Sequence, residues 1–151
     1  MLRDDINNAL KTAMKAQEPL RVSTLRMVNS TIKNADIQAR GESKDAPTDE
    51  ELLGVLQKMI KQRQESVELY DKGGRPELAA KEREEIAIIA AFLPKQMSED
   101  ETKAAVAAVI KETGAASMKD MGRVMAALKE RYAGKMDFAK AGALVKGQLG
   151  S

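Results

Sequence analysis

Ser30 and Lys33 have the three-residue spacing that some hydrolases use to place a serine nucleophile beside a lysine base. Both positions fall off the apolar stripe formed by Leu25, Val28 and Ile32, so we expect both side chains to face water. A solvated lysine keeps its proton and cannot act as a base. The spacing therefore does not predict a catalytic centre here.

Carboxylates occur in clusters, at "TDEE", "EREE" and "SEDE", and paired carboxylates can carry out acid–base chemistry. Two of the clusters stand at predicted helix starts, where negative charge complements the helix dipole. The 151 residues contain no histidine and no cysteine, which removes the commonest general base, the thiol nucleophile and the usual zinc ligands. No catalytic constellation is visible, and we expect neither a cofactor nor a metal.

The last third of the chain is rich in cations. Between residues 119 and 146, seven lysines and arginines stand against three acids. Such a concentration of positive charge on a small domain is typical of phosphate binding, and an ordinary solvated surface is the alternative. The candidate RNA-binding residues are these cations and one glycine: Lys119, Gly122, Arg123, Lys129, Arg131, Lys135, Lys140 and Lys146.

Two further features of this segment bear on binding. Gly122 lies inside a predicted helix, where glycine costs about 1 kcal/mol relative to alanine. A close crossing with Ala139 and Gly142 of the next helix would compensate, and so would close approach of another molecule's backbone. The helix start at Asp137, preceded by Gly134, adds backbone donors where a phosphate could sit.

A second polar group lies in the predicted third helix, where Arg63 falls almost within the apolar stripe. If the chain folds back at Gly73, Arg63 comes opposite Glu82 and Glu85. We predict a partly buried ion pair with one of them, which would fix the register of the hairpin. A functional groove for a partner is the alternative. This candidate groove comprises Gln62, Arg63, Ser66, Tyr70, Glu82 and Glu85.

Helical periodicity runs along the whole chain, and no convincing alternating strand pattern occurs. Three capping boxes, begun by Thr48, Ser98 and Ser117, mark helix starts. The pattern predicts an all-α protein with seven helices, at about residues 2–17, 19–40, 48–72, 76–93, 98–113, 117–133 and 137–149.

Pro94 divides the predicted helices into two groups. Four long helices precede it, and we predict a four-helix, bundle-like domain over residues 1–94. Three short helices follow, and we predict a small domain over residues 95–151. From Lys95 onward there are ten cations and seven acids, whereas the first part has 15 and 16. The positive charge therefore belongs to the C-terminal domain.

The sequence contains no apolar run near the roughly 20 residues of a membrane span. The first residues, "MLRDDINNALK", include acids and lack the apolar core of a signal peptide. We therefore expect a cytoplasmic protein with no membrane partner.

Several segments resemble the YqeY-type proteins, which carry the GatB/YqeY domain: "LRM", "KQRQES", "GRPELAAKEREE", "FLPKQMSEDE" and "GAASMKDMGRVM". The resemblance covers essentially the whole chain. It implies a helical N-terminal domain followed by a three-helix domain similar to the tail of the GatB subunit of the tRNA-dependent amidotransferase. That tail contacts tRNA, so tRNA and a translation-related protein are the implied partners. The tail pattern maps to Lys119, Gly122, Arg123, Gly134, Lys135 and Asp137.

These observations give three expectations of function. The leading one is a non-catalytic tRNA-binding accessory protein, whose C-terminal helices bind the RNA backbone by charge and shape. The second is a helical protein-interaction module that acts through Arg63, Ser66 and Tyr70 without RNA. The third follows the family's label, a carbon–nitrogen ligase with glutamine as amide donor, although the chain lacks an amidase signature, a phosphate loop and a cysteine nucleophile.

Overall fold

The computed structural model describes residues 1–150. Within that range the chain forms seven α-helices and no strand, which confirms the all-α prediction. A single 3₁₀ turn, Met118–Asp120, precedes the sixth helix. The helices are α1 (Leu2–Lys15), α2 (Pro19–Gly41), α3 (Asp49–Lys72), α4 (Pro76–Ala90), α5 (Glu99–Thr113), α6 (Met121–Tyr132) and α7 (Phe138–Leu149).

Two of the capping boxes start α-helices as predicted, and the third, Ser117 with Asp120, starts the 3₁₀ turn. The Thr48 hydroxyl accepts a hydrogen bond from the Glu51 amide, and the Glu51 carboxylate accepts one from the Thr48 amide. Ser98 and Glu101 form the same reciprocal pair at the start of α5. Each cap satisfies donors that the helix itself cannot, which contributes about 1 kcal/mol.

The start of α6 differs from the prediction of one helix from residue 117. Residues 118–120 form the 3₁₀ turn, and the α-helix begins at Met121. The Asp120 carboxylate accepts the amide of Ala116 at 3.0 Å and that of Ser117 at 3.4 Å. These bonds hold the preceding turn against the start of the helix.

Two aliphatic side chains form the centre of the core-facing side of α6. Val124 and Leu128 are fully buried, whereas Met118 is 41% exposed. Met121 and Met125 are half-buried at the edge of the core. The core side of α6 therefore centres on Val124 and Leu128, with the two methionines beside them.

The chain divides into two compact units, one spanning Met1–Pro94 and the other beginning at Lys95. In the first unit α3 packs along α4, and α2 packs on both α1 and α4. Aliphatic side chains from all four helices form its core: Leu2, Ile6, Leu25, Val28, Ile32, Leu52, Leu56, Met59 and Ile89.

In the second unit each of α5, α6 and α7 packs against the other two. Their shared core consists largely of aliphatic side chains: Val106, Val109, Val124, Leu128, Met136, Val145 and Leu149. The helices are short, so this common core is what holds them together. None of the helices in residues 1–150 is both long and apolar enough to cross a bilayer.

Candidate nucleic-acid interface

The candidate interface lies on the 3₁₀ turn before α6, on α6, on α7 and in the loop between these two helices. All seven of its cations are exposed. Arg131 Nη1 lies 2.6 Å from Glu112 Oε2 of α5, and Arg123 Nη2 lies 3.2 Å from Asp120 Oδ1. Within residues 1–150, the other five form no salt bridge; they are Lys119, Lys129, Lys135, Lys140 and Lys146.

The two arginines are held differently. Arg131 joins α6 to α5, and its hydrogen bond to Glu112 raises the pKa of the guanidinium. Arg123 is bonded to Asp120, three residues earlier, and exposed pairs at this spacing contribute little. The Arg131–Glu112 pair is exposed as well, so either arginine can turn to a phosphate at small cost.

Asp120 is already occupied by other donors. The amides of Ala116 and Ser117 donate to its carboxylate, and they are the main reason that the pKa of Asp120 is lowered, ahead of the Arg123 charge. The carboxylate keeps its backbone bonds when Arg123 moves away. Asp120 therefore stays hydrogen-bonded when Arg123 turns away from it to an approaching anion.

Three cations belong to segments that meet around the start of α6. Lys119 lies in the 3₁₀ turn, and Arg123 lies in the first turn of α6 that directly follows it. The last turn of α7 reaches the same place, because a Cβ built on Gly150 would lie 3.8 Å from the Met118 sulfur. Lys146 is one turn before Gly150, and its carbonyl accepts the Gly150 amide at 2.8 Å. We call Lys119, Arg123 and Lys146 the basic face.

Gly122 flanks the basic face and is exposed. A Cβ added to Gly122 would have no contact within 4 Å among residues 1–150, so the predicted close crossing with α7 is wrong. The glycine that faces α6 is Gly142, where an added Cβ would lie 3.9 Å from the methyl carbons of Met121 and Met125. Lys129 lies two turns after Gly122 and extends the same open side.

Lys135 and Lys140 lie in a different environment, beside the start of α5. Lys140 lines a groove of about 450 Å³ together with Met97, Glu99 and Asp137. Two carboxylates therefore border the same space as this lysine. The structure does not bring Lys140 to the basic face, and the neighbouring acids weaken its attraction for a phosphate.

The start of α7 does not offer the vacant donors that the sequence predicted. The Asp137 carboxylate accepts the amides of Ala139 at 3.0 Å and Lys140 at 3.3 Å. Asp137 thus caps its own helix and places negative charge where a phosphate was expected. The cationic side chains, rather than this helix terminus, are left as the means of attracting an anion.

The polar residues of the first unit are centred on a buried ion pair. Arg63 is 9% exposed and Glu85 is 7% exposed, and Arg63 Nε lies 3.1 Å from Glu85 Oε2. The predicted pair is therefore formed, with Glu85 as the partner. Arg63 Nη1 also donates to the Met59 carbonyl at 3.1 Å, and Nη2 contacts the Met27 sulfur. One guanidinium thus joins α2, α3 and α4.

The remaining groove residues surround this pair. Glu82 is half-buried, and burial, followed by the Glu85 charge, raises its pKa. The Ser66 hydroxyl donates to the Gln62 carbonyl of its own helix at 3.2 Å, and Tyr70 is half-buried. In this arrangement Gln62 is the exposed member, and the Arg63 charge is turned inward.

No metal site is evident in the described part of the chain. Within residues 1–150, no group of three or more aspartate or glutamate side chains comes together in a way that could hold a metal ion.

Comparison with known proteins identifies the family. A model described as "Yqey-like protein" matches residues 3–149, and the chain therefore belongs to the YqeY-like family. The resemblance noted in the sequence is thereby confirmed. Neither this description nor the names of the curated relatives states a reaction.

Curated relatives occur in yeasts. "Altered inheritance of mitochondria protein 41, mitochondrial" of Vanderwaltozyma polyspora is 40% identical over 84 residues, which cover 56% of this chain and 44% of that protein. The Kluyveromyces lactis protein of the same name is 44% identical over 81 residues, with coverages of 53% and 42%. An uncharacterized protein of Schizosaccharomyces pombe is 36% identical over 93 residues, with coverages of 62% and 72%. The chain thus spans less than half the length of the two mitochondrial relatives.

The names of the Vanderwaltozyma polyspora and Kluyveromyces lactis relatives contradict the expected cytoplasmic location, because they designate mitochondrial proteins. The expectation rested on the lack of an apolar segment near the first residue. An apolar segment marks secretion, whereas mitochondrial targeting uses amphipathic, arginine-rich segments. The observation was therefore not informative about this compartment.

Proposed function

We propose that this chain is a non-catalytic tRNA-binding accessory protein that contacts the RNA backbone through the basic face of its second unit, with Lys135 of the α6–α7 loop as a further contact. The observation that carries the proposal is that most cations between residues 119 and 146 are exposed and form no salt bridge within the described chain. Five of the seven form no salt bridge within the described chain, and Arg123 has a weak local one. The first unit would orient this surface or bind a translation-related protein.

The physical basis of binding is the release of counterions from the RNA. Exposed ammonium and guanidinium groups neutralise phosphates and release the condensed cations around them. Structured RNA suits such a surface because its helices are recognised mostly by shape and backbone contacts. The open space at Gly122 supports the proposal further, since a sugar-phosphate chain could approach the α6 backbone there.

The proposal is tested by tRNA binding to the full chain. We expect the double substitution Lys119→Glu and Arg123→Glu to weaken binding at least tenfold at about 100 mM salt, because two attractive contacts become repulsive. The matched control is Lys11→Glu with Lys15→Glu, two exposed lysines at the same spacing on α1. Equal losses in the two double variants would contradict a localised surface. Since the relatives are named as mitochondrial, mitochondrial tRNA should be tested beside bulk tRNA.

A second experiment separates RNA from protein partners. The tagged chain is recovered from lysate with and without nuclease treatment. We expect tRNA in the untreated sample, and we expect the recovery of translation-related proteins to fall after nuclease treatment. Unchanged protein recovery, together with the absence of tRNA, would oppose the proposal and favour an interaction module.

A further inference from the structure

The loop between α6 and α7 holds one exposed cation on a tightly bonded turn. The Tyr132 carbonyl accepts the amides of Lys135 at 3.0 Å and Met136 at 3.3 Å. Gly134 has φ +77°, a conformation that other residues adopt only with strain. The Met136 side chain is 1% exposed and anchors the loop in the core. The loop therefore has a defined shape, and Lys135 projects from it into solvent.

A second segment completes this loop. Gln96 Nε2 donates to the Gly134 carbonyl at 2.6 Å, and the Met97 amide donates to the Lys135 carbonyl at 2.9 Å. We call residues 95–97 the strap. The strap directly follows Pro94, the last residue of the first unit. The carbonyls of Gly134 and Lys135, which stand before and after the Lys135 side chain, are thus both hydrogen-bonded to the strap.

We propose that Gln96 is a positioning residue for RNA binding, and that the strap holds Lys135 in the orientation in which it meets a phosphate. This inference rests on the function proposed above. Gln96 carries no charge and acts through the loop backbone. Because the strap is bonded to this loop, RNA bound at Lys135 also stabilises the strap itself.

The hydrogen bond between Gln96 and the loop predicts the effects of replacing Gln96. Loss of the neutral hydrogen bond from Gln96 to the Gly134 carbonyl loosens the loop and lowers the fraction of molecules with Lys135 correctly placed. We expect the affinity for tRNA to fall about two- to fivefold. The salt dependence of binding should stay the same, because no cation is removed, whereas Lys135→Ala should reduce the salt slope by about 1.

The test compares Gln96→Met with Gln64→Met in the full chain. Methionine has a similar length to glutamine but no N–H donor, and Gln64 is an exposed residue of α3 that serves as the control. Three quantities are measured: tRNA affinity at several salt concentrations, the free energy of unfolding, and amide hydrogen exchange at Met97, Lys135 and Met136 with and without tRNA.

We expect Gln96→Met to speed exchange at Met97 and to weaken binding at an unchanged salt slope, with global stability kept. We also expect tRNA to slow exchange at Met97 in the wild type. Full binding by Gln96→Met, or unaltered exchange in the strap, would overturn the inference while leaving the proposed function intact. Failure of the wild-type chain to bind any tRNA would overturn both.

Discussion

Two arginines show how differently the two units use charge. Arg63, in the first unit, is 9% exposed, and its guanidinium contacts three helices through Glu85, Met59 and Met27. Arg123, in the second unit, is exposed and bonded to a carboxylate three residues away. The first charge is enclosed and neutralised by the fold, whereas the second stays at the surface with a weak partner.

The difference has an energetic reason. A buried charge must keep its partner, since removing the partner leaves an ion without water, so Arg63 can serve the fold but not a ligand. An exposed charge remains hydrated and gains little from a local acid, so Arg123 is available to a phosphate. We infer that charge in the first unit specifies helix packing, and that charge in the second unit attracts an anionic partner.

The largest expected effect is on the buried pair. Arg63→Leu should lower the free energy of unfolding by about 3–5 kcal/mol, because Glu85 would be left buried without its partner. Arg63→Leu combined with Glu85→Leu should cost clearly less, and urea denaturation measures both. If Arg63→Leu lowers the free energy of unfolding by less than about 1 kcal/mol, the ion pair does not stabilise the hairpin of α3 and α4.

The next effect concerns the loop of the second unit. Gly134→Ala should cost about 1–2 kcal/mol, since alanine is strained at φ +77°. We expect the same variant to weaken tRNA binding, because the strained loop carries Lys135. Thermal unfolding measures the loss of stability, and tRNA titration measures the loss of affinity. A variant of unchanged stability would mean that another backbone conformation replaces this turn.

A gain in stability is expected at two open glycines, one in each unit. Gly54 of α3 and Gly122 of α6 both have no contact within 4 Å for an added Cβ among residues 1–150. Each change to alanine should stabilise the protein by about 0.5–1 kcal/mol. Gly122→Ala alone should weaken tRNA binding, because the Cβ would stand where we propose that RNA approaches. Equal tRNA affinity in both variants would remove Gly122 from the interface.

The smallest effect depends on pH and concerns Glu82. Burial and the neighbouring Glu85 charge raise the pKa of Glu82 in the folded state, so its ionised form disfavours folding. This penalty is absent below about pH 4, where the group is protonated in both states, and it develops as pH rises through the folded pKa. Glu82→Gln should therefore be more stable than the wild type at pH 7, and the difference should vanish near pH 4. Urea denaturation at both pH values measures it, and a constant difference would contradict the raised pKa.

Local signals predicted most of the fold. Capping boxes at Thr48 and Ser98 fixed the starts of α3 and α5, because these caps involve residues three positions apart. Periodicity also placed Arg63 almost within the apolar stripe of α3, and the assumed hairpin at Gly73 placed it opposite Glu82 and Glu85. The identity of its partner, Glu85 rather than Glu82, depends on the packing of α3 on α4, which a single helix does not encode.

The surface was less predictable than the core. For Gly122 a helix crossing was one of two expectations, but Gly142 occupies that contact, because α6 turns Val124 and Leu128 toward the core and Gly122 toward solvent. The contacts of Gln96 with the α6–α7 loop join residues 38 positions apart, and the sequence near Gln96 carries no signal for them. Which cations form the basic face likewise depends on how α7 packs against the start of α6.

The salt dependence of tRNA binding tests the central claim most directly. Binding by the full chain is measured between 50 and 200 mM salt for the wild type and for Lys119→Glu with Arg123→Glu. Three or four neutralised phosphates predict a slope of about −3 in log K against log salt for the wild type. The double variant lacks two of these contacts, so its slope should be about −1. A wild-type slope near zero, or an identical slope in the double variant, would contradict a basic face that binds the RNA backbone.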